Sequence, residues 1–278
     1  MVLNFFIGLS AGVFSGLIGI GGGAILIPLI TGILKMKQLQ ASGTSLVIII
    51  CTGITGAVTY TLNDSVDLMA AILLASTAIL TARAGAHYAD ALPEWKLKRY
   101  FGFFLIIVTI SLLIKPYLFQ IAGPVQGWII IPVLLLAGII AGFLSGMLGI
   151  GGGVIMVPAM VLIAGFTQQA AQGSSLLAII PIGMVGAFTH WRLGNVNIVI
   201  LPALIPGALI GTYLGASFAN NISELTLRLL FAAVMLWTSL KYLRAPVKET
   251  QKEVNPAIAD AAQGDKTVMI PLIKKRGK

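Results

Sequence analysis

Apolar residues in this chain come in long blocks rather than in alternation, at 2–34, 45–62, 68–89, 100–119, 128–164, 174–190, 198–219 and 225–243. Most have the length at which an α-helix crosses a hydrocarbon layer about 30 Å thick. The blocks 2–34 and 128–164 are too long for one ordinary span, and glycines break each in the middle. The pattern stops at residue 245. Residues 245–278 hold 7 basic and 4 acidic side chains together with Pro246, Pro256 and Pro271, which predicts a water-exposed tail.

The second half repeats the first. Shifted by 130 residues, the chain lies on itself without a gap, and GLSAGVFSGLIGIGGG at 8–23 meets GIIAGFLSGMLGIGGG at 138–153 with 10 of 16 positions identical. Pro28 falls on Pro158, and the ASGTSL run at 41–46 falls on AQGSSL at 171–176. Gly53, Gly56 and Ala57 match Gly183, Gly186 and Ala187, while Gly85 and Ala86 match Gly215 and Ala216. Two copies of one unit that pack together are a common plan for secondary transporters.

Charge decides how the copies are oriented. If each glycine-broken block crossed once, both halves would point the same way, and Arg192, Lys241 and Arg244 would lie opposite Lys35, Lys37, Lys96, Lys98 and Arg99. That arrangement fits the positive-inside rule poorly. If residues 2–18 enter, turn at Gly19–Gly23 and return through 24–34, each half has one re-entrant hairpin and three spans, and the second half is inverted. All eight of those bases then face the cytosol, and only Lys115 and Arg228 near span ends do not. The expected fold is therefore all-α: a polytopic membrane protein of two homologous, inverted repeats at 1–119 and 128–244, a linker at 120–127 and a cytosolic tail at 245–278.

Composition agrees with a bilayer setting. Of the 278 residues 58% are hydrophobic and only 10% charged, against roughly a quarter in soluble domains. The net charge of +9 reflects loop and tail bases, so no nucleic-acid partner is expected. A single cysteine, Cys51, excludes an internal disulfide and a cysteine-rich metal site. No metalloprotease helix, paired apolar carboxylates or nucleotide-binding lysine follows from the sequence, so the chain reads as a non-enzyme with no cofactor. Its energy source would then be an ion gradient, protons among them, or the substrate gradient itself.

The chemistry gathers at the glycines. Non-helical backbone at membrane depth is tolerated only inside protein or beside a water-filled cavity. The runs Gly19, Gly21, Gly22, Gly23 and Gly149, Gly151, Gly152, Gly153 permit a tight reversal and leave amide hydrogens uncovered. A short helix follows each run, and its N-terminus adds unpaired donors and partial positive charge. Together these make an anion site without a buried lysine, and two such sites can converge at mid-membrane. Thr44 and Ser45, with Ser174 and Ser175, stand at the start of full spans. They read either as caps of their own helices or as further donors to an oxyanion. Ser15 and Ser145 lie one turn before the glycines and are repeated too. Close packing of small residues is the alternative reading for all of these positions.

Charged and polar singles are fewer. Arg83 lies one turn before His87, and its repeat partner is Tyr213. It reads as an interfacial residue or as part of a basic vestibule. His190, which matches Tyr60, reads as an interfacial anchor, with proton coupling as the second reading. Trp95, Trp128, Trp191 and Trp237 suit aromatic belts and packing.

The pattern GxxSGxxGIGGGxxxxP, present at 12–28 and 142–158, resembles the sulfite exporter TauE/SafE family of membrane permeases. The likeness covers residues 5–243. It implies a multi-pass permease of the bacterial inner membrane that moves sulfite, organosulfonates or other small sulfur-containing or carboxylated anions. It places substrate at the two broken helices, with a homo-oligomer as an expected state. An anion channel and a scaffold acting through the tail are the competing readings.

Overall fold

The computed structural model describes residues 1–89, 102–103, 105–114 and 127–243. Residues Met1–Ala245 form one compact unit. The expectations for the tail, for the linker up to residue 126, and for Trp95, Lys96, Lys98, Arg99, Lys115 and Arg244 lie outside the described residues.

Every regular element among the described residues is helical. Helices α1 (Val2–Ile18) and α2 (Gly23–Ile33) flank the first glycine run, and α3 (Gln38–Thr61), α4 (Leu68–Tyr88) and α5 (Leu105–Ile114) follow. A 3-10 turn at Gly127–Ile129 leads into α6 (Ile130–Leu148), which the second glycine run separates from α7 (Gly153–Leu162). Then come α8 (Gln168–Arg192), a 3-10 turn at Ile198–Ile200, α9 (Leu201–Asn220) and α10 (Glu224–Leu243). Five helical stretches are long and apolar enough to cross a membrane: α3, α4, Gly127–Leu148, α8 and Ile198–Asn220. Large side chains such as Leu80, Leu136, Ile210 and Phe218 are exposed around the bundle, where lipid would cover them.

Both expected breaks are present. Gly19 ends α1 at φ 72° with its N–H on the Ser15 carbonyl, and Gly149 ends α6 at φ 67° with its N–H on that of Ser145. This left-handed ending is the one glycine adopts without steric cost. Gly22 repeats the left-handed geometry (φ 77°) where α2 begins, while its counterpart Gly152 is right-handed at φ −72°.

The starts of α3 and α8 differ from expectation. Both begin several residues earlier, at Gln38 and Gln168, so Thr44, Ser45, Ser174 and Ser175 sit inside helices and cap nothing. The cap of α8 is Thr167, whose hydroxyl accepts from the Ala170 N–H at 3.2 Å. Asp67, assigned from sequence only to a loop, caps α4 by accepting from the Ala70 N–H at 2.8 Å.

Packing is reciprocal between the halves. Gly8, Gly12 and Gly16 of α1 lie against the backbone of Leu204, Ala208 and Thr212 of α9 so closely that a Cβ would collide. Gly138, Gly142 and Gly146 of α6 meet Leu74, Ala78 and Ala82 of α4 in the same register. Both pairs run parallel and pack through small residues, as membrane helices do where backbones approach. The repeat-equivalent helices α3 and α8 instead run antiparallel: Gly53 meets Ile180, and Gly183 meets Ile50. At that crossing Leu46, Ile49, Ile179 and Ala187 form a small apolar cluster apart from the main core.

Candidate functional site: the two glycine breaks

The structure brings the two glycine runs together. A Cβ on Gly23 would lie 2.5 Å from the Gly149 carbonyl oxygen, and one on Gly151 would lie 2.7 Å from that of Ile20. Gly153 packs on Gly19 in the reciprocal contact. Every residue from Ser15 to Ala24 and from Ser145 to Val154 is buried, so the breaks occupy the interior and not the lipid face. Ile49 and Ile179, equivalent in the repeat, both pack on Gly21 and on Gly151.

Backbone donors collect there without acceptors. Among the described residues, the amide hydrogens of Gly21, Gly22, Gly23 and Ala24 have no hydrogen-bond partner, and neither do those of Gly151, Gly152, Gly153 and Val154. Helix bonding resumes only where the Ile25 and Leu26 N–H groups reach the Gly22 carbonyl, and where those of Ile155 and Met156 reach Gly152. The Ser15 and Ser145 hydroxyls are also buried and unpartnered. Ser15 Oγ points at the first break, 3.6 Å from where a Gly22 Cβ would stand. A buried donor without a partner costs about 1–3 kcal/mol, so such a concentration marks a place where something else accepts.

The other predicted hydroxyls hold the halves together. Ser45 Oγ donates to the Gly149 carbonyl at 2.6 Å, and Ser175 Oγ donates to the Gly19 carbonyl at 2.5 Å. Each fastens the carbonyl of the residue that ends the opposite half's broken helix. Thr44 Oγ1 accepts from the Asn197 N–H at 3.0 Å and Ser174 Oγ from the Asp67 N–H at 2.8 Å, which ties down the loops ahead of α9 and α4.

The charged candidates separate. Arg83 and His87 are exposed on α4, on the side away from Ala82 and Ala86, which face α6, so they do not join the breaks. His190 is fully buried, which overturns its reading as an interfacial anchor. Its Nε2 lies 2.9 Å from the Gly146 carbonyl, and because a carbonyl only accepts, Nε2 carries the hydrogen. The repeat-equivalent Tyr60 hydroxyl donates to the Gly16 carbonyl at the same 2.9 Å. Arg192 is exposed and stacks its guanidinium over the Phe188 ring, 4.5 Å from the centroid.

Sequence reasoning missed Ser42, Gln168 and Gln172. Ser42 Oγ donates to the Leu148 carbonyl at 3.0 Å. Gln172 packs on Gly19, and its Oε1 accepts from the Tyr60 hydroxyl at 2.8 Å. A signal was available: two glutamines four residues apart, directly before an apolar block.

Comparison with known proteins places this architecture. The family described as sulfite exporter TauE/SafE matches residues 3–242. The chain belongs to that family. It is 29% identical over 265 residues to the probable membrane transporter protein YunE of Bacillus subtilis, a match covering 84% of this chain and 94% of the relative. A probable membrane transporter protein of Methanocaldococcus jannaschii is 25% identical over 249 residues, covering 84% and 91%. YdhB of Bacillus subtilis, also a probable membrane transporter protein, is 25% identical over 219 residues, covering 78% and 89%. No solved structure matches. As a TauE/SafE protein the chain is a multi-pass membrane transporter and not an enzyme.

Proposed function

We propose that this transporter moves a small anion, such as sulfite, an organosulfonate or a short carboxylate, across the cytoplasmic membrane by binding it at the paired glycine breaks. The observation that carries the reading is the set of buried, unpartnered amide hydrogens at Gly21–Ala24 and Gly151–Val154, with the Ser15 and Ser145 hydroxyls beside them. An oxyanion offers several acceptors at once and replaces its lost water with those donors. Dipoles instead of fixed cations favour binding that can be released, as transport requires. A carrier is preferred over a channel because both breaks are closed inside the protein and covered by Ile49 and Ile179.

Inverted, re-entrant repeats are part of the same proposal. Helix α2 has 11 residues, about 16 Å of rise, which is roughly half of a hydrocarbon core. The starts of α1 and α9 are level, because Gly8 meets Leu204, and the segment before α9 is tied to α3 near its start by Asn197 and Thr44. The chain thus enters through α1 and comes back through α2 to the end from which α3 departs. The antiparallel crossing of α3 and α8 supports inversion of one half relative to the other. Lys35, Lys37 and Arg192 share one end of the bundle, so the positive-inside rule makes that end cytosolic. In this reading a proton is the coupling ion, and His190, at the second break, is the group that would carry it.

Flux in proteoliposomes tests the site, with sulfite, sulfonates and short carboxylates as substrates and with or without a proton gradient. Ser15→Ala is expected to lower flux about tenfold, equivalent to roughly 1.4 kcal/mol of lost binding in the transport cycle. Gly22→Val, which fills the left-handed position, is expected to abolish flux while the protein still inserts. Full flux in both variants, or a wild type that moves none of these anions, would refute the reading.

A further inference from the structure

The two breaks are not equivalent, and the difference lies in one row of side chains. Gln168, Gln172, Ser175 and Ile179 follow one another at helical spacing along a single face of α8, and all four are buried. Three of them touch the first break: Ile179 packs on Gly21, Ser175 donates to the Gly19 carbonyl and Gln172 packs on Gly19. Gln168 continues the row one turn further, with its Cβ about 6 Å from that of Gln172.

Three amide atoms of this row have no partner. Both Gln168 Nε2 and Oε1 are buried and unpaired, as is Gln172 Nε2, while Gln172 Oε1 is engaged by Tyr60. The conclusion survives a 180° flip of either amide, because Gln168 offers one free donor and one free acceptor in both orientations. The equivalent row on α3 lacks this feature. There Gln38 is partly exposed, Ser42 stands in place of Gln172 with its hydroxyl satisfied by Leu148, and Ser45 is bound to Gly149. The second break is also more crowded: the Met156 methyl group stands 2.9 Å from where a Gly152 Cβ would be, and Leu26 is its repeat partner.

The breaks supply donors only, which suits the anionic end of a substrate. A free donor and a free acceptor side by side suit a different group, one that gives and takes a hydrogen bond together. We propose that Gln168, with Gln172 beside it, forms a specificity subsite that binds a hydroxyl group carried by the substrate at the end remote from its anionic head. The hydroxyl donates to Gln168 Oε1 and accepts from Nε2, while the head lies on the first glycine break. This inference rests on the anion reading above and adds to it a selection among anions. It also assigns the polar end of the substrate to one half of a pseudo-symmetric protein. Failure to satisfy buried amides is the physical basis of discrimination, since an analogue without the hydroxyl leaves Gln168 unpaired.

The test compares pairs that differ by one hydroxyl: 2-hydroxyethanesulfonate against ethanesulfonate, and 3-hydroxypropanoate against propanoate. Initial rates of uptake into proteoliposomes give kcat/KM for each. The wild type is expected to prefer the hydroxylated member of the transported pair at least tenfold. Gln168→Met, of similar shape but without the amide, is expected to bring that ratio close to 1. Substrate-free Gln168→Met should melt at or above the wild-type temperature, because it removes a buried amide that has no partner. Gln168→Leu serves as the second variant if the first gives little protein. Ser15→Ala should lower both members of a pair alike and keep their ratio. A wild type without preference, or a preference that persists in both Gln168 variants, would overturn the subsite alone and leave the glycine site standing. A wild type that moves none of the four anions would overturn the subsite and the anion reading together.

Discussion

At the scale of single residues, the hydroxyls fall into two groups that the sequence presents alike. Ser15 and Ser145 are buried without partners, whereas Ser45 and Ser175 are saturated by carbonyls of the opposite half. Removing a hydroxyl from the first group should leave the substrate-free protein as stable as before or slightly more so, because nothing in that state depends on it. Removing one from the second group strands the carbonyl that ends a broken helix. Ser45→Ala and Ser175→Ala are therefore each expected to lose about 1–3 kcal/mol, read as a lower melting temperature of the purified protein in detergent. The double variant should lose more than either single one, since the two bonds fasten different helix ends. Unchanged melting in both single variants would show that the halves are held without these bonds.

At the scale of helices, glycine does two different things. At Gly19 and Gly149 it ends a helix; at Gly8, Gly12 and Gly16 it brings two backbones into contact. Gly12→Val should therefore push α1 off Ala208, at a cost of about 1–3 kcal/mol or more, and should reduce both the yield and the melting temperature of folded protein. Wild-type melting would show that the contact can relax. The first role was legible in the chain, because a GIGGG run inside an apolar block has few structural uses and occurs twice at the same offset. The second was only half legible. Small residues four apart announce close packing, but the sequence does not say that α1 chooses α9 and α6 chooses α4, partners about two hundred and sixty residues apart in the chain. The starts of α3 and α8 were placed late for a related reason. Polar Gln38, Gln168 and Gln172 look like loop residues by hydropathy, yet Gln168 and Gln172 are wholly buried, and only the tertiary fold shows it. His190 misled in the same way, as a polar residue at the end of an apolar block that turns out to be an interior one.

At the scale of the whole molecule, the reciprocal contacts turn a repeat in sequence into a constraint on motion. Whatever α1 does against α9, α6 can do against α4, and both pairs join one half to the other. Ile49 and Ile179 sit where α3 and α8 cross, on both glycine breaks, which makes that crossing the natural pivot and barrier of an alternating carrier. Alternation between two sides requires the ends of the bundle to face opposite compartments, and this is open to direct measurement. With Cys51 replaced by Ser, a cysteine introduced at exposed Ile163, beside the start of α8, is expected to react with an impermeant thiol reagent added outside intact cells. A cysteine at Lys37, before the start of α3, should react only after the membrane is opened. The expectation follows from the antiparallel crossing of α3 and α8, which sends their starting points to opposite ends, and from the bases at Lys35, Lys37 and Arg192, which mark one of those ends as cytosolic. Labelling of both positions from the same side would mean that the equivalent helices enter from one face, and a carrier built on inversion would no longer describe the protein.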